Sequence, residues 1–231
     1  MNDKADKEFA ELALKTIAPW AESWPDDLLH FQLMKAAVME DRETVRKALT
    51  AMVKADGDPN LSLKGKEEQR RKIEIEAIAK LDASSKRAKA RESYDAVMAK
   101  WGNMVASILK PAKDHNEAVM HAQIRDRLFN LKDQRERMLW LERNVGDPVA
   151  ASALLTAPAF LSGLSDVELA LVRSKVEALA LTPEIIEAKA ATMKAWEQVE
   201  AGRRAAHHKI NERAGLTNSG SPVREATVKA S

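Results

Sequence analysis

The chain has 231 residues, of which 45% are hydrophobic and 31% charged, with a formal net charge of +2. That balance excludes an intrinsically disordered chain and leaves room for one large helical domain or two small ones. The absence of cysteine removes disulfides, thiolate metal sites and cysteine nucleophiles, and a single Tyr argues against an aromatic-rich β-sandwich.

The first helical pattern runs from about Asp3 to Ala18 through Phe9, Leu12, Ala13 and Ile17. Pro19 and Pro25 bracket a turn carrying Trp20 and Trp24. Pro25 then suits the first position of a second helix with Leu28, Leu29, Leu33 and Val38. A third helix is predicted from about Asp41 to Ala55 through Val45, Leu49 and Met52. Asp56-Gly57-Asp58-Pro59-Asn60 stops it, because Gly permits a left-handed cap and Pro cannot continue the hydrogen-bond ladder.

From about Leu63 to Lys110 helix formers dominate, with Asp82-Ala83-Ser84-Ser85 as a candidate break and new cap. Alternating steps of four and three from Ile73 give Ala77, Lys80, Ser84, Arg87, Arg91, Tyr94, Met98, Trp101, Val105 and Ile108. These positions share one helix face, apolar at both ends and cationic in the middle. Pro111 marks a reversal or kink, and a further helix is predicted to about Asn144 with Ile124, Leu128, Leu131, Met138 and Val145 on one seam. Asp147-Pro148 supplies an N-cap and a first helical residue. Ala157-Pro158 is the next stop, and the apolar loop Ala157–Leu164 is expected to be buried as a plug, a docking surface being the alternative. Ser165-Asp166-Val167-Glu168 reads as a capping box, and Thr182-Pro183 opens the last helix, which carries Ile185, Ile186, Met193, Trp196 and Val199 to about Ala214. Gly215–Ser231 has no periodicity and reads as a disordered tail.

The expected fold is therefore all-α: a helical bundle built around a long antiparallel helical hairpin, with smaller flanking helices. Residues 1–55 form an acidic N-terminal helical region and 56–62 a linker. The hairpin occupies 63–145, reversing near Pro111, followed by a C-terminal helical region over 146–214 and the tail, 215–231. A simple register across Pro111 faces Trp101 with His121, Tyr94 with Leu128, Lys80 with Glu142 and Arg87 with Arg135. The last match is costly in a dry seam, because buried like charges have nothing to offset their desolvation.

Charge is unevenly spread. Residues 1–44 hold ten acids against five bases, a net of −5, while residues 64–91 hold ten bases against five acids, a net of +5. The cationic waist is either covered from within by acids such as Glu40, Asp41 or Glu43, or left open to an anionic partner. Lys80, Arg87, Arg91 and Arg135 are the candidate anion- or partner-binding residues. Further basic residues lie at Lys86, Lys89, Arg203, Arg204, Lys209 and Arg213.

No catalytic, cofactor-binding or metal-binding set emerges. Asp27 and His30, and Glu117 and His121, can each share a helix face, but the paired Glu-x-x-His elements of a di-iron bundle are absent. His207 and His208 point about 100° apart on a helix, a poor geometry for joint ligation. Neither Gly-rich phosphate loop occurs, and Ser162-Gly163-Leu164-Ser165 lacks the nucleophile-elbow pattern. The leading expectation is a non-enzymatic, adaptor- or scaffold-like protein mediating protein–protein interaction or assembly, with a partner or with itself. The alternatives are a nucleic-acid-associated protein that binds phosphates through the basic face, and an enzyme with an unrecognised site. No apolar run is long enough to cross a bilayer, and Met1–Ala10 is charged rather than signal-like, so a cytoplasmic location with no membrane partner is expected.

Overall fold

The computed structural model describes Ile17 and residues 23–215. The helix expected over Asp3–Ala18, the turn around Trp20 and the tail after Gly215 lie outside the described residues. Within them the protein is all-helical, with no strand, and the long bent helix over residues 63–108 fits a hairpin-like bundle.

The helix α1 spans Leu29–Asp56. The two helices expected over this stretch are one, since no Gly or Pro interrupts it, and Asp41 sits in its middle rather than at a start. Pro25 likewise precedes the helix instead of opening it. Gly57 closes α1 with its N–H on the Val53 carbonyl at 3.1 Å, but at φ −84° it is right-handed, so the expected left-handed cap is not used. Ser62 then caps α2 (Leu63–Asp82) by accepting from Gly65 N–H at 3.1 Å. With the short turn over 57–62 between them, α1 and α2 pack as an αα-hairpin.

Ala83 and Ser84 interrupt the long helix within the Asp82–Ser85 stretch expected to be a break and new cap, and Ser84 is the capping residue. Its hydroxyl accepts from Arg87 N–H at 3.1 Å and opens α3 (Ser85–Ile108). After Pro111, Asp114 caps α4 (His115–Asn130) through Glu117 N–H at 2.9 Å, and Glu117 returns a bond from Lys113 N–H at 2.7 Å. The helix expected to run on to Asn144 breaks at Leu131, which is extended. Asp133 then opens α5 (Gln134–Asn144), accepting from the N–H groups of Arg135 at 2.7 Å and Glu136 at 3.0 Å. A local Asp cap outweighs helix propensity here, because it satisfies two N–H groups that a helix start leaves free.

Asp147 and Pro148 open α6 (Pro148–Leu155), with Asp147 accepting from Val149 N–H at 2.7 Å. A 3₁₀ turn follows at Ala159–Leu161, and the Ser165/Glu168 capping box starts α7 (Asp166–Ala180). The last helix, α8, runs from Pro183 to Ala214.

Packing divides the chain into two compact units whose limits fall inside α3 and α8 rather than at turns. One holds the residues up to 95 and from 192 onward, the other 96–191. The first has two apolar layers. Phe31, Met34 and Val38 of α1 meet Ala90 of α3 and Trp196 and Val199 of α8 in one. Val45, Leu49 and Met52 meet Ala77 and Leu81 of α2 and Ala206 and Ile210 of α8 in the other. Tyr94 belongs to the first layer, stacked on Trp196, so it does not follow the register expected across Pro111. The second unit has a single core of Leu128, Leu141, Val145, Leu154, Val172 and Val176, among others.

The segment expected to be a buried plug is split. Ser162 and Leu164 are buried, but Phe160 is 75% exposed and Leu161 is exposed beside it. A three-residue 3₁₀ turn cannot direct every side chain inward, and here Ser162 and Leu164 take the inward positions. Gly163 holds the turn at φ +63°, with Phe129 Cδ2 only 3.0 Å from where a Cβ would stand. Gly163→Ala is therefore expected to cost about 1–2 kcal/mol in chemical denaturation, from the left-handed backbone alone and more from the clash. An unchanged midpoint would show that the turn relaxes freely.

Candidate functional site: a charged layer and an exposed apolar surface

The cationic waist lies in the first unit, between its two apolar layers. Three helices contribute to it at heptad-like steps. On α1 the sequence Met34, Val38, Asp41, Val45, Ala48 and Met52 is buried throughout, with Asp41 the one acid. On α8 the steps from Trp196 reach Glu200, Arg203 and His207. On α3 they reach Arg87 and Arg91.

Arg87 is neutralised from within: its Nη2 lies 2.5 Å from Glu200 Oε1, and its guanidinium carbon is 5.9 Å from the Trp196 ring centre. Arg91 donates to Asp95 Oδ2 at 2.8 Å and lies 5.2 Å from the Trp196 ring and 5.6 Å from Tyr94. Those two rings stack at 5.1 Å with planes 21° apart, a platform that suits a cation over its face. Arg203 donates to the Leu81 carbonyl at 2.8 Å and to Asp82, capping the last turn of α2 where carbonyls lack helical partners. Glu40 accepts from the Ser84 hydroxyl, and Glu43 pairs with Arg46 and Lys47 on its own helix.

Asp41 is the unusual member. It is 1% exposed, and neither carboxylate oxygen has a hydrogen-bond partner among the described residues. Burial raises its carboxyl to about 6. Arg87 and Arg203 pull it down, and Glu40 and Glu200 push it up. His207, with Nε2 3.4 Å from Asp82 Oδ1, is held below its ordinary value chiefly by burial.

The four residues singled out from the sequence are placed as follows. Arg87 and Arg91 are one turn apart and engaged as described. Lys80 is exposed and lines a groove of about 560 Å³ between α1 and α2, together with Lys47, Lys86, Glu40, Glu43 and Glu76. Arg135 is exposed at the first turn of α5, in the second unit. Glu200 and Arg203 were missed as parts of the waist, although the heptad reading applied to α3 finds both when applied to α8.

The histidine pairs do not converge on a metal. His30 is buried on Thr192 Oγ1 at 3.1 Å and held low by burial, Glu117 is spent on its helix cap, and no group of three metal-ligating side chains occurs among the described residues.

The second unit carries an exposed apolar surface. Phe129 at the end of α4 is 51% exposed and meets Gly163. Phe160 and Leu161 lie on the 3₁₀ turn that α4 packs against, and Val167 in the first turn of α7 is 69% exposed. Lys132 Nζ stands 5.3 Å from the Phe129 ring.

These features define an all-helical protein with a charged interior layer and an exposed apolar surface. No helix among the described residues is long and apolar enough to cross a membrane. No family model, curated protein or solved structure matches the chain.

Proposed function

We propose that this is a non-enzymatic helical protein that acts by binding protein, either a partner or a second copy of itself. The observation behind this reading is the exposed surface of Phe129, Phe160, Leu161 and Val167. Fully burying such a side chain is worth about 1.5–3 kcal/mol, and each of these, 43–75% exposed, forgoes a share of it in water. Exposed apolar side chains on and near one turn are what an interface core uses. The charged layer supports the reading indirectly. A buried polar layer specifies helix register, leaving the outer faces of the helices available for recognition.

Size-exclusion chromatography with light scattering, at low and high salt, tests it. The expected result is a mass that grows with concentration, or with an added partner, and does not fall at high salt. Phe160→Asp together with Val167→Asp is expected to return it to the monomer value. A monomer at every concentration with no captured partner would overturn the reading. A shift produced only by mixed nucleic acid at low salt would favour phosphate binding by Lys80, Arg135 and their neighbours instead.

A further inference from the structure

A second surface of the same unit has a more specific chemistry. Where α4 ends and α5 begins, the two helices border an open groove of about 700 Å³. From α4 it receives Ile124 and Arg127, from the break Leu131, and from α5 Glu136, Trp140 and Arg143. On α4 the steps from Ile124 to Arg127 to Leu131 are three and four, and on α5 those from Glu136 to Trp140 to Arg143 are four and three. Each helix therefore turns one apolar-plus-arginine face to the same space.

Arg135, exposed at the start of α5, does not line the groove, and the other four arginines of these helices fall into two groups. Arg125 donates to the Ala153 carbonyl at 3.1 Å, and Arg137 holds Glu168 and the Gly163 carbonyl. Those two are parts of the fold. Arg127 and Arg143 are exposed and engage no acid among the described residues. Two free guanidiniums beside an apolar wall ask for carboxylates set beside apolar side chains. Phosphate polymers fit less well, because Glu136 sits in the groove and the wall is apolar.

We propose that this groove docks an acidic amphipathic helix of a partner protein. Its carboxylates meet Arg127 and Arg143, and its apolar side chains meet Trp140, Ile124 and Leu131. The inference rests on the protein-binding reading but uses a different surface from the Phe160 turn, so the two can fail separately.

The test is fluorescence anisotropy on the full chain. The probe is a labelled synthetic helical peptide with Leu along one face and Glu on both flanks. A control peptide carries Lys in place of Glu. The acidic probe is expected to bind, more weakly at high salt, and at least about tenfold more tightly than the control. Arg127→Glu with Arg143→Glu, both surface changes, is expected to weaken it by at least about tenfold. Leu139→Asp at the groove edge is expected to weaken it too, while Phe160→Asp leaves it unchanged; Leu139 lines the groove and is exposed. Equal binding of the two peptides, or binding that survives the double arginine change in a chain whose melting is unaltered, overturns the proposal. So does equal competition by single-stranded nucleic acid, which would make the groove a general anion surface. If the probe ignores the groove variants but is lost with Phe160→Asp, the groove assignment falls and the protein-binding reading stands.

Discussion

Arg137→Met is expected to destabilise the second unit by about 3–5 kcal/mol, the cost of stranding a buried charge. The Glu168 side chain is 3% exposed. Arg137 Nε donates to Oε1 at 2.8 Å and Nη2 to Oε2 at 2.7 Å, while Nη2 also reaches the Gly163 carbonyl. Without the guanidinium, Glu168 keeps only the Ser165 N–H at 2.7 Å and the Ser165 hydroxyl at 2.8 Å, and the Gly163 carbonyl loses this donor. Burial pushes the Glu168 carboxyl up, but the Ser165 backbone and hydroxyl bonds and Arg137 together hold it below the ordinary value. A depressed carboxyl adds stability that is present above its unfolded pKa and lost as pH falls through the folded one. Removing Arg137 lifts the folded value toward or past the unfolded one, so less stability is lost on acidification and the variant's deficit is largest at neutral pH and narrows as pH falls.

Urea denaturation across pH measures both effects. Arg137→Met with Glu168→Met is expected to recover part of the loss, since an apolar pair leaves no charge stranded. A single-variant loss below about 1 kcal/mol would show the pair to be dispensable, as exposed pairs usually are. Under the proposed protein-binding function the contact has a second consequence, because Arg137 holds the Gly163 carbonyl in the turn that follows Phe160 and Leu161. Loss of self-association or partner binding should accompany the loss of stability.

Asp41→Asn is expected to act in the opposite direction, stabilising the protein by roughly 2–3 kcal/mol at pH 8. The Asp41 carboxyl is raised from 3.8 to about 6, so the folded state holds the proton more tightly than the unfolded chain does. Its contribution is fully present below the unfolded value and is lost as pH rises through about 6. At neutral pH the ionised group costs about 3 kcal/mol relative to its protonated form, at 1.36 kcal/mol per unit. Asn removes the ionisation, so the gain should be absent below about pH 4, grow between pH 4 and 6 and be constant above that range. His207, held low chiefly by burial, works the other way, its contribution being lost as pH falls. Subtracting the variant's stability curve from that of the native chain leaves the Asp41 part. A variant less stable than the native chain at pH 8 would mean that Arg87 and Arg203 make the carboxylate a net asset.

Much of the helical layout was legible, because caps are local chemistry. Asp147-Pro148, the Ser165–Glu168 box, the Ser84 break and the span of α8 each depend on residues a few positions apart. The break before α5 was missed: Asp133-x-x-Glu136 carries the same local signal, but the seam from Ile124 to Val145 runs straight past it. Asp41 misled for a related reason. An acid ahead of an apolar run reads as a helix start, and only packing shows it inside α1, facing Arg87 and Arg203.

By itself the sequence determined that the protein is helical and which residues share a helix face, because the periods of hydrophobic and charged side chains follow backbone geometry. It also marked the cationic stripe of α3 as needing satisfaction. Only the tertiary structure decided that Glu200, 113 positions beyond Arg87, supplies it, and that Phe160 points to solvent while Leu164 points inward. Such pairings depend on which faces meet once the chain has folded back on itself, and a one-dimensional period carries no record of that meeting.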